Sequence, residues 1–544
     1  MKKKYKANIV DVVSKEIYYG EVSVNNNKIS KISRIGDTIK GEKYILPGFV
    51  DSHIHIESSM LSPIGFANIA VKHGTVATVS DPHEIANVLG EEGVNYMIDS
   101  GKKVPLKFFF GAPSCVPATP FETSGAVLDS KAIKKLLEKD DIYYLAEMMN
   151  FPGVIFKDNE VMQKIKDAHL LKKPIDGHAP GLSGDDLNKY AEAGISTDHE
   201  CSSLAEAEEK IAHGMNIQIR DGSAAKNFEA LFPLIDKYPE KVMVCMDDCH
   251  PDDLLNGHIN RVIKNALKKN CDLFNILRAV TLNPIKHYNL NVGLLQENDS
   301  ADFIIVDNLN NFNVQSTIID GNEVFANNKV MFDSPEIIAI NNFNCSEISL
   351  KDIEVKDNNK NINVILAKDG DLYTTKETVK PKIVEGKIVQ DLSRDILKVV
   401  IVNRYKKAEP VVGFIKNFGL KKGAIAGSIA HDSHNIIAIG ASDNEIVNAI
   451  SVLVENKGGI VACENNNVKN LVLDIAGLMS SDTPEYVANT YSEINAMAKS
   501  LGSKLHAPFM TMAFMSLLVI PELKIGDRGL FDVNKFDFVS LFGK

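Results

Sequence analysis

His53 and His55, two residues apart in the run Leu46-Pro47-Gly48-Phe49-Val50-Asp51-Ser52-His53-Ile54-His55, are the first residues in the chain suited to holding a metal ion. The run is rich in β-branched and aromatic residues, opens at Pro-Gly and leads into the polar cluster Glu57-Ser58-Ser59. That pattern predicts a buried strand entering a loop. Side chains two apart on a strand share a face, with about 7 Å of rise between them, so both imidazoles can converge on one ion. His and carboxylate residues end other apolar runs in the same way: Asp81-Pro82-His83-Glu84, Glu147, His178, His199-Glu200 and Asp247-Asp248. Arg220-Asp221 ends one more run, and Pro113-Ser114-Cys115 another. His53, His55, His178, His199, Glu147 and Asp247 are a sufficient ligand set for two divalent ions, with Glu147 able to bridge them. The donors are imidazoles and carboxylates, and no thiolate is placed to select zinc, so Mn²⁺ or Fe²⁺ is expected ahead of Zn²⁺. Cys245 and Cys249 flank the last aspartates; Cys245 is expected to pack in the core and Cys249 to lie in a loop.

The elements that must carry these groups are legible as eight apolar runs, each followed by a helical segment: Ile45 to His55, Thr75 to Ser80, Leu106 to Gly111, Ile142 to Met148, Pro174 to His178, Ile195 to His199, Asn216 to Arg220 and Val242 to Asp247. Eight βα units in a little over 200 residues point to a closed parallel (β/α)8 barrel, whose catalytic groups sit at the C-terminal strand ends. Residues 1–44 and 290–335 alternate in short β-like runs, with a turn at Asn25-Asn26-Asn27, and are expected to complete one small β-sandwich from both flanks of the barrel (45–289). A polar stretch near 340–360 reads as a linker, and 345–544 as a C-terminal α+β domain. The fold class expected is therefore α/β, with three domains.

At 544 residues and 44% hydrophobic the chain can fill several cores. Its net charge of −11, with Lys and Arg interspersed among Asp and Glu, leaves no basic stripe for a nucleic acid backbone. Seven scattered cysteines fit a reducing compartment, and no run of 18 apolar residues occurs, so a cytoplasmic protein without membrane association is expected. The His55-Ile56-Glu57 triplet mimics the H-x-E of zinc cytidine deaminases, but the partner P-C-x-x-C is absent.

The run Leu46 to Ser59, Ser80-Asp81-Pro82-His83-Glu84, Ala146-Glu147-Met148-Met149, Asp176-Gly177-His178-Ala179-Pro180-Gly181-Leu182, Asp198-His199-Glu200 and the late His431-Asp432-Ser433-His434-Asn435 together resemble the bacterial adenine deaminases of the amidohydrolase superfamily. The resemblance covers essentially the whole chain. It rests on the Glu-Ser-Ser after the His-x-His, on a glutamate where many relatives use a carboxylated lysine, and on the long C-terminal domain. It implies hydrolysis of free adenine to hypoxanthine and ammonia with two Mn or Fe ions, in a homo-oligomer, most simply a homodimer. Given the metals, water adds to C6 of the purine and ammonia leaves, which requires a carboxylate that passes a proton on. Asp247 is the expected shuttle, with Asp248 as the other candidate; Glu84 and His199 complete the catalytic set. Glu84, Glu200 and Arg220 are candidates to read the purine edge, with solvated loop or structural ion pair as the plain alternative. His431 and His434 sit in a polar turn between packed elements, where they could close over the purine, hydrogen-bond it, bind a further ion, or simply cap their own domain. Another amidohydrolase acting on a cyclic amide or N-acyl group, and a barrel that has lost its chemistry, are the competing readings.

Overall fold

All eight apolar runs become parallel strands of one barrel in the computed structural model, which describes residues 2–543. Phe49–His55, Thr75–Ser80, Lys107–Ala112, Ile142–Met148 and Ile175–Gly177 pair in that order. Thr197–Asp198, Asn216–Arg220 and Val242–Cys245 pair in turn. The ring closes where Asp247–Asp248 pairs with Phe49–His55 and where the Ser196 N–H donates to the Ile175 carbonyl at 2.9 Å. Phe49–His55 and Thr75–Ser80 are buried along their whole length, as strands covered on both faces must be, which is why they read as continuous apolar runs.

The first run is two strands. Tyr44–Pro47 belongs to a flanking sheet, and the barrel strand begins at Phe49. Gly48 makes the switch because nothing larger fits: a Cβ there would lie 2.2 Å from Cγ1 of Val76. The flanking sheet runs in the order Lys329–Val330, Asn322–Ala326, Val314–Ile319, Phe303–Val306, Tyr44–Pro47, Lys2–Asp11, Glu16–Asn25, Lys28–Gly36, so the chain leaves it for the barrel and returns. Ile9, Val22, Val24, Ile45, Phe303 and Ile318 share its core.

The last barrel strand is also broken. Met246 turns its N–H to Asp51 Oδ1 (3.1 Å), and Asp247 adopts a left-handed φ of 54°. A non-glycine residue there carries strain that persists only where the surroundings dictate it, and such positions cluster at functional sites.

Two compact units are present. One holds the barrel and the flanking sheet (residues up to Pro82, Asn95–Ser114 and Asp129–Ile337); the other joins His83–Val94 and Cys115–Leu128 to the chain from Ile338 onward. The second unit is built on an eight-stranded sheet, antiparallel except where Ile362–Leu366 runs parallel to Val411–Lys416. Helix Asp443–Asn456 packs on it, opened by a Ser442 side chain that accepts the Glu445 N–H in an S-x-x-E arrangement. Among the described residues no helix is long and apolar enough to cross a membrane.

Candidate metal centre and active site

The barrel mouth gathers His53, His55, Glu147, His178, His199 and Asp247. His53 and His55 bring their Nε2 atoms to 3.2 Å of each other. Asp247 Oδ1 lies 3.4 Å from His53 Nε2 and 3.2 Å from His55 Nε2. Glu147 divides its oxygens: Oε1 is 3.4 Å from His55 Nε2, while Oε2 is 2.8 Å from His178 Nδ1 and 3.2 Å from His199 Nε2. The His53 and His199 rings stack at 4.2 Å. All of these groups are buried except His178, which is nearly so.

Apart from the 2.8 Å contact of His178 with Glu147, which is of hydrogen-bond length, these spacings fit metal ligands. Donors about 2.0–2.2 Å from a common ion are themselves about 3.0–3.4 Å apart, longer than most hydrogen bonds. Both ring nitrogens of buried His199 lack a partner in hydrogen-bond geometry, as does Nδ1 of His53. His55 Nδ1 lies 3.1 Å from the Asp81 carbonyl, which can only accept, so Nδ1 carries the proton and Nε2 keeps its lone pair for an ion. The electrostatics agree. Burial opposes a charge on His199, yet Glu147, Asp247 and Glu200 push its pKa up to about 9. His178 is raised despite burial by Glu200 and Glu147. Glu147, Asp247 and Glu200 make the mouth anionic at His199 and His178, while burial and the neighbouring His199 lower His53.

Arg220 lies in the same mouth, and four of its five N–H donors are engaged. It makes four hydrogen bonds, to both oxygens of Glu200, to Asp247 Oδ2 (2.7 Å) and to the Ala225 carbonyl (2.8 Å). Against the burial that opposes their charge, Arg220 holds the carboxyls of Glu200 and Asp247 below their usual range. Asp248 accepts from Ser58 Oγ, so the Glu-Ser-Ser motif braces the last strand. Gly222 lies so close to that strand that a Cβ would meet the Met246 carbonyl at 1.9 Å. Cys245 and Cys249 are fully buried, and burial pushes both thiols up, so neither offers a thiolate. Glu84, His431 and His434 meet in the second unit: His431 Nδ1 is 2.7 Å from Glu84 Oε1, and His434 Nε2 contacts Glu84 Oε2.

Two features went unassigned in the sequence reading. A carboxylate oxygen of Asp81 lies within 4.8 Å of the donor atoms of His55 and Glu147. Its position at the C-terminal end of the second barrel strand, equivalent to that of the other ligands, was the available signal. The other is Lys210, wholly buried on helix Leu204–Ala212, whose Nζ lies 3.1 Å from Asp198 Oδ1 and 2.7 Å from the Ala179 carbonyl. Asp198 also accepts the N–H groups of Ala179 (2.9 Å) and Glu200 (2.8 Å), so the pair ties down the residues flanking His178 and His199. Lys210→Met leaves that carboxylate buried and unpaired, and is expected to cost about 3–5 kcal/mol in chemical denaturation. Although burial opposes its charge, Lys210 helps lower the Asp198 pKa to about 2. A folded pKa below the unfolded one gives stability that is present above about pH 4 and is lost as pH falls toward 2, here roughly 2 kcal/mol, measurable by acid unfolding.

A closed parallel barrel with imidazoles and carboxylates at its C-terminal mouth is the architecture of a metal-dependent hydrolase, and the amidohydrolase family model matches residues 44–324. The adenine deaminase C-terminal domain matches residues 371–537. An adenine deaminase from Methanosarcina mazei is 55% identical, over 99% of both chains, and one from Borreliella burgdorferi is 48% identical, also over 99% of both. A β-aspartyl dipeptidase of known structure from Fervidobacterium islandicum is 16% identical with a TM-score of 0.46, covering 61% of this chain and 99% of that one. The chain thus belongs to the amidohydrolase family. Within it, full-length identity and the C-terminal domain make it a member of the adenine deaminases.

Proposed function

We propose that the chain hydrolyses adenine to hypoxanthine and ammonia with His53, His55, Glu147, His178, His199 and Asp247 holding two divalent ions, and with Glu147 between them. The observation that carries this reading is the division of the Glu147 oxygens, one toward the His55 and Asp247 side and the other toward His178 and His199. Imidazole and carboxylate donors without a thiolate favour Mn²⁺ or Fe²⁺. When bound, the ions supply Lewis-acid chemistry that makes water a competent nucleophile at neutral pH. Asp247 takes the proton released as that water attacks C6 and hands it to the purine, so that the exocyclic amine departs as ammonia. Arg220, with four hydrogen bonds already made, serves the purine through the carboxylates it holds, Glu200 and Asp247. Glu84 is the carboxylate assigned to purine recognition or proton delivery. Seven cysteines, all free thiols, support a reducing and hence cytoplasmic setting.

The test is ammonia release from adenine by purified protein whose metal content is measured in parallel. Two equivalents of divalent metal per chain and turnover of adenine, with none of hydantoin or dihydroorotate, are expected. Turnover of a cyclic amide and not of adenine overturns the reading.

A further inference from the structure

Glu84, His431 and His434 carry the residue types of a metal site, with donor atoms mutually within 4.8 Å. All three are buried, at 2%, 7% and 1% exposure. His431 Nδ1 stands 2.7 Å from Glu84 Oε1, much as His178 Nδ1 stands 2.8 Å from Glu147 Oε2 in the barrel, so spacing does not separate the two clusters. The tautomer does, and it points to hydrogen bonding. The Ala430 N–H donates to His434 Nδ1 (3.3 Å), and the His434 N–H returns a bond to the Ala430 carbonyl (2.7 Å). A neutral ring whose Nδ1 accepts must carry its proton on Nε2, the atom that meets Glu84 Oε2. This is the reverse of His55, whose Nδ1 gives its proton to a carbonyl and leaves Nε2 basic.

The surroundings keep that arrangement in place. Burial drives His434 down to about 4, so the ring is neutral at physiological pH. Burial alone would push Glu84 toward its neutral form, but the facing imidazoles hold its carboxyl well below the usual range. His431 is stacked on Phe514 at 4.6 Å with 14° between the rings, which fixes where its Nδ1 points. His434 has a φ of 52°, a left-handed conformation pinned by the reciprocal bonds to Ala430.

We infer that His431 and His434 are positioning residues, a two-imidazole clamp that holds Glu84 as an ionised carboxylate of fixed rotation, and that this cluster is not a third metal site. Glu84 Oε2 takes His434, while Oε1 takes His431 and lies 3.5 Å from His83 Nε2. The clamp's kinetic consequence rests on the adenine deaminase reading, in which Glu84 serves purine recognition or proton delivery.

The experiment compares alanine with amide replacements in the full-length, metal-loaded protein. Glutamine places an N–H₂ near the position of Nε2 and asparagine near that of Nδ1, so His434→Gln and His431→Asn keep the donor that His434→Ala and His431→Ala delete. The alanine variants are expected to lose at least about tenfold in kcat/KM for adenine, and the amide variants to recover to within about threefold of the parent. Metal per chain, measured after dialysis, should equal that of the parent in all four. Loss of one metal equivalent in the amide variants would establish a third metal site and overturn the clamp. Alanine kinetics within twofold of the parent would overturn it too. If an alanine variant does not fold, the amide variants carry the test through metal content and kinetics. If the parent itself fails to deaminate adenine, the functional reading falls, and the clamp is judged separately by unchanged metal content and by recovery, in the amide variants, of the Tm lost in the alanine variants.

Discussion

Glu147→Gln is expected to reduce bound divalent metal from about two equivalents per chain to one or fewer, and to abolish adenine deamination. The substitution keeps the size and planar shape of the side chain while removing its charge and one of its two acceptor oxygens. Both oxygens are in use: Oε1 faces His55, and Oε2 faces His178 and His199. An amide can present one oxygen to one side, and its N–H₂ then points at the other, where it has no lone pair to offer a cation. The Glu147 charge is also part of what raises His199 and His178 against burial, so its loss weakens the anionic field that attracts the ions. Metal analysis on dialysed protein, with ammonia release measured in parallel, checks the result. Two ions retained with a normal rate would remove Glu147 from the bridging position.

Asp247→Asn should leave the fold intact and lower turnover by roughly two to four orders of magnitude, the loss expected when a proton carrier is removed. The backbone will accept the change, because asparagine tolerates the left-handed conformation seen there as well as aspartate does. The chemistry will not. Asp247 Oδ1 faces His53 and His55, and Oδ2 is held by Arg220 at 2.7 Å, so the carboxylate stands between the proposed ions and a fixed cation. Asparagine cannot take up a proton at that point. Circular dichroism should match the parent while kcat per bound metal falls, and a near-normal kcat would move the shuttle to Asp248 or a histidine.

The barrel and its ring of donors were legible because both are written in local pattern. A parallel strand covered on both faces needs a short unbroken apolar run, and its C-terminal end is where the polar residues begin. Tyr44–Pro47 reads as part of the barrel strand because the same run continues through Gly48, and only their different sheet partners separate the two. Choosing between Asp247 and Asp248 was beyond any local pattern, since the residues are neighbours of identical type. Met246 turning to Asp51, 195 residues away, breaks the strand so that Asp247 faces the histidines and Arg220, while Asp248 turns to Ser58.

Residue type and spacing by themselves determined that this chain makes an eight-stranded parallel barrel with His53, His55, Glu147, His178, His199 and an aspartate of the Asp247-Asp248 pair at strand ends, since period, burial and donor chemistry are properties of short stretches. Tertiary structure alone decided which ring nitrogen of His55 and of His434 carries the proton. His55 and His434 are the same residue type, but one lies beside a carbonyl and the other beside an N–H, which leaves one able to ligate and the other to donate. It alone also brought Glu84 to a turn 350 residues later, because closing a contact over that distance depends on how whole cores pack and leaves no trace in the residues on either side.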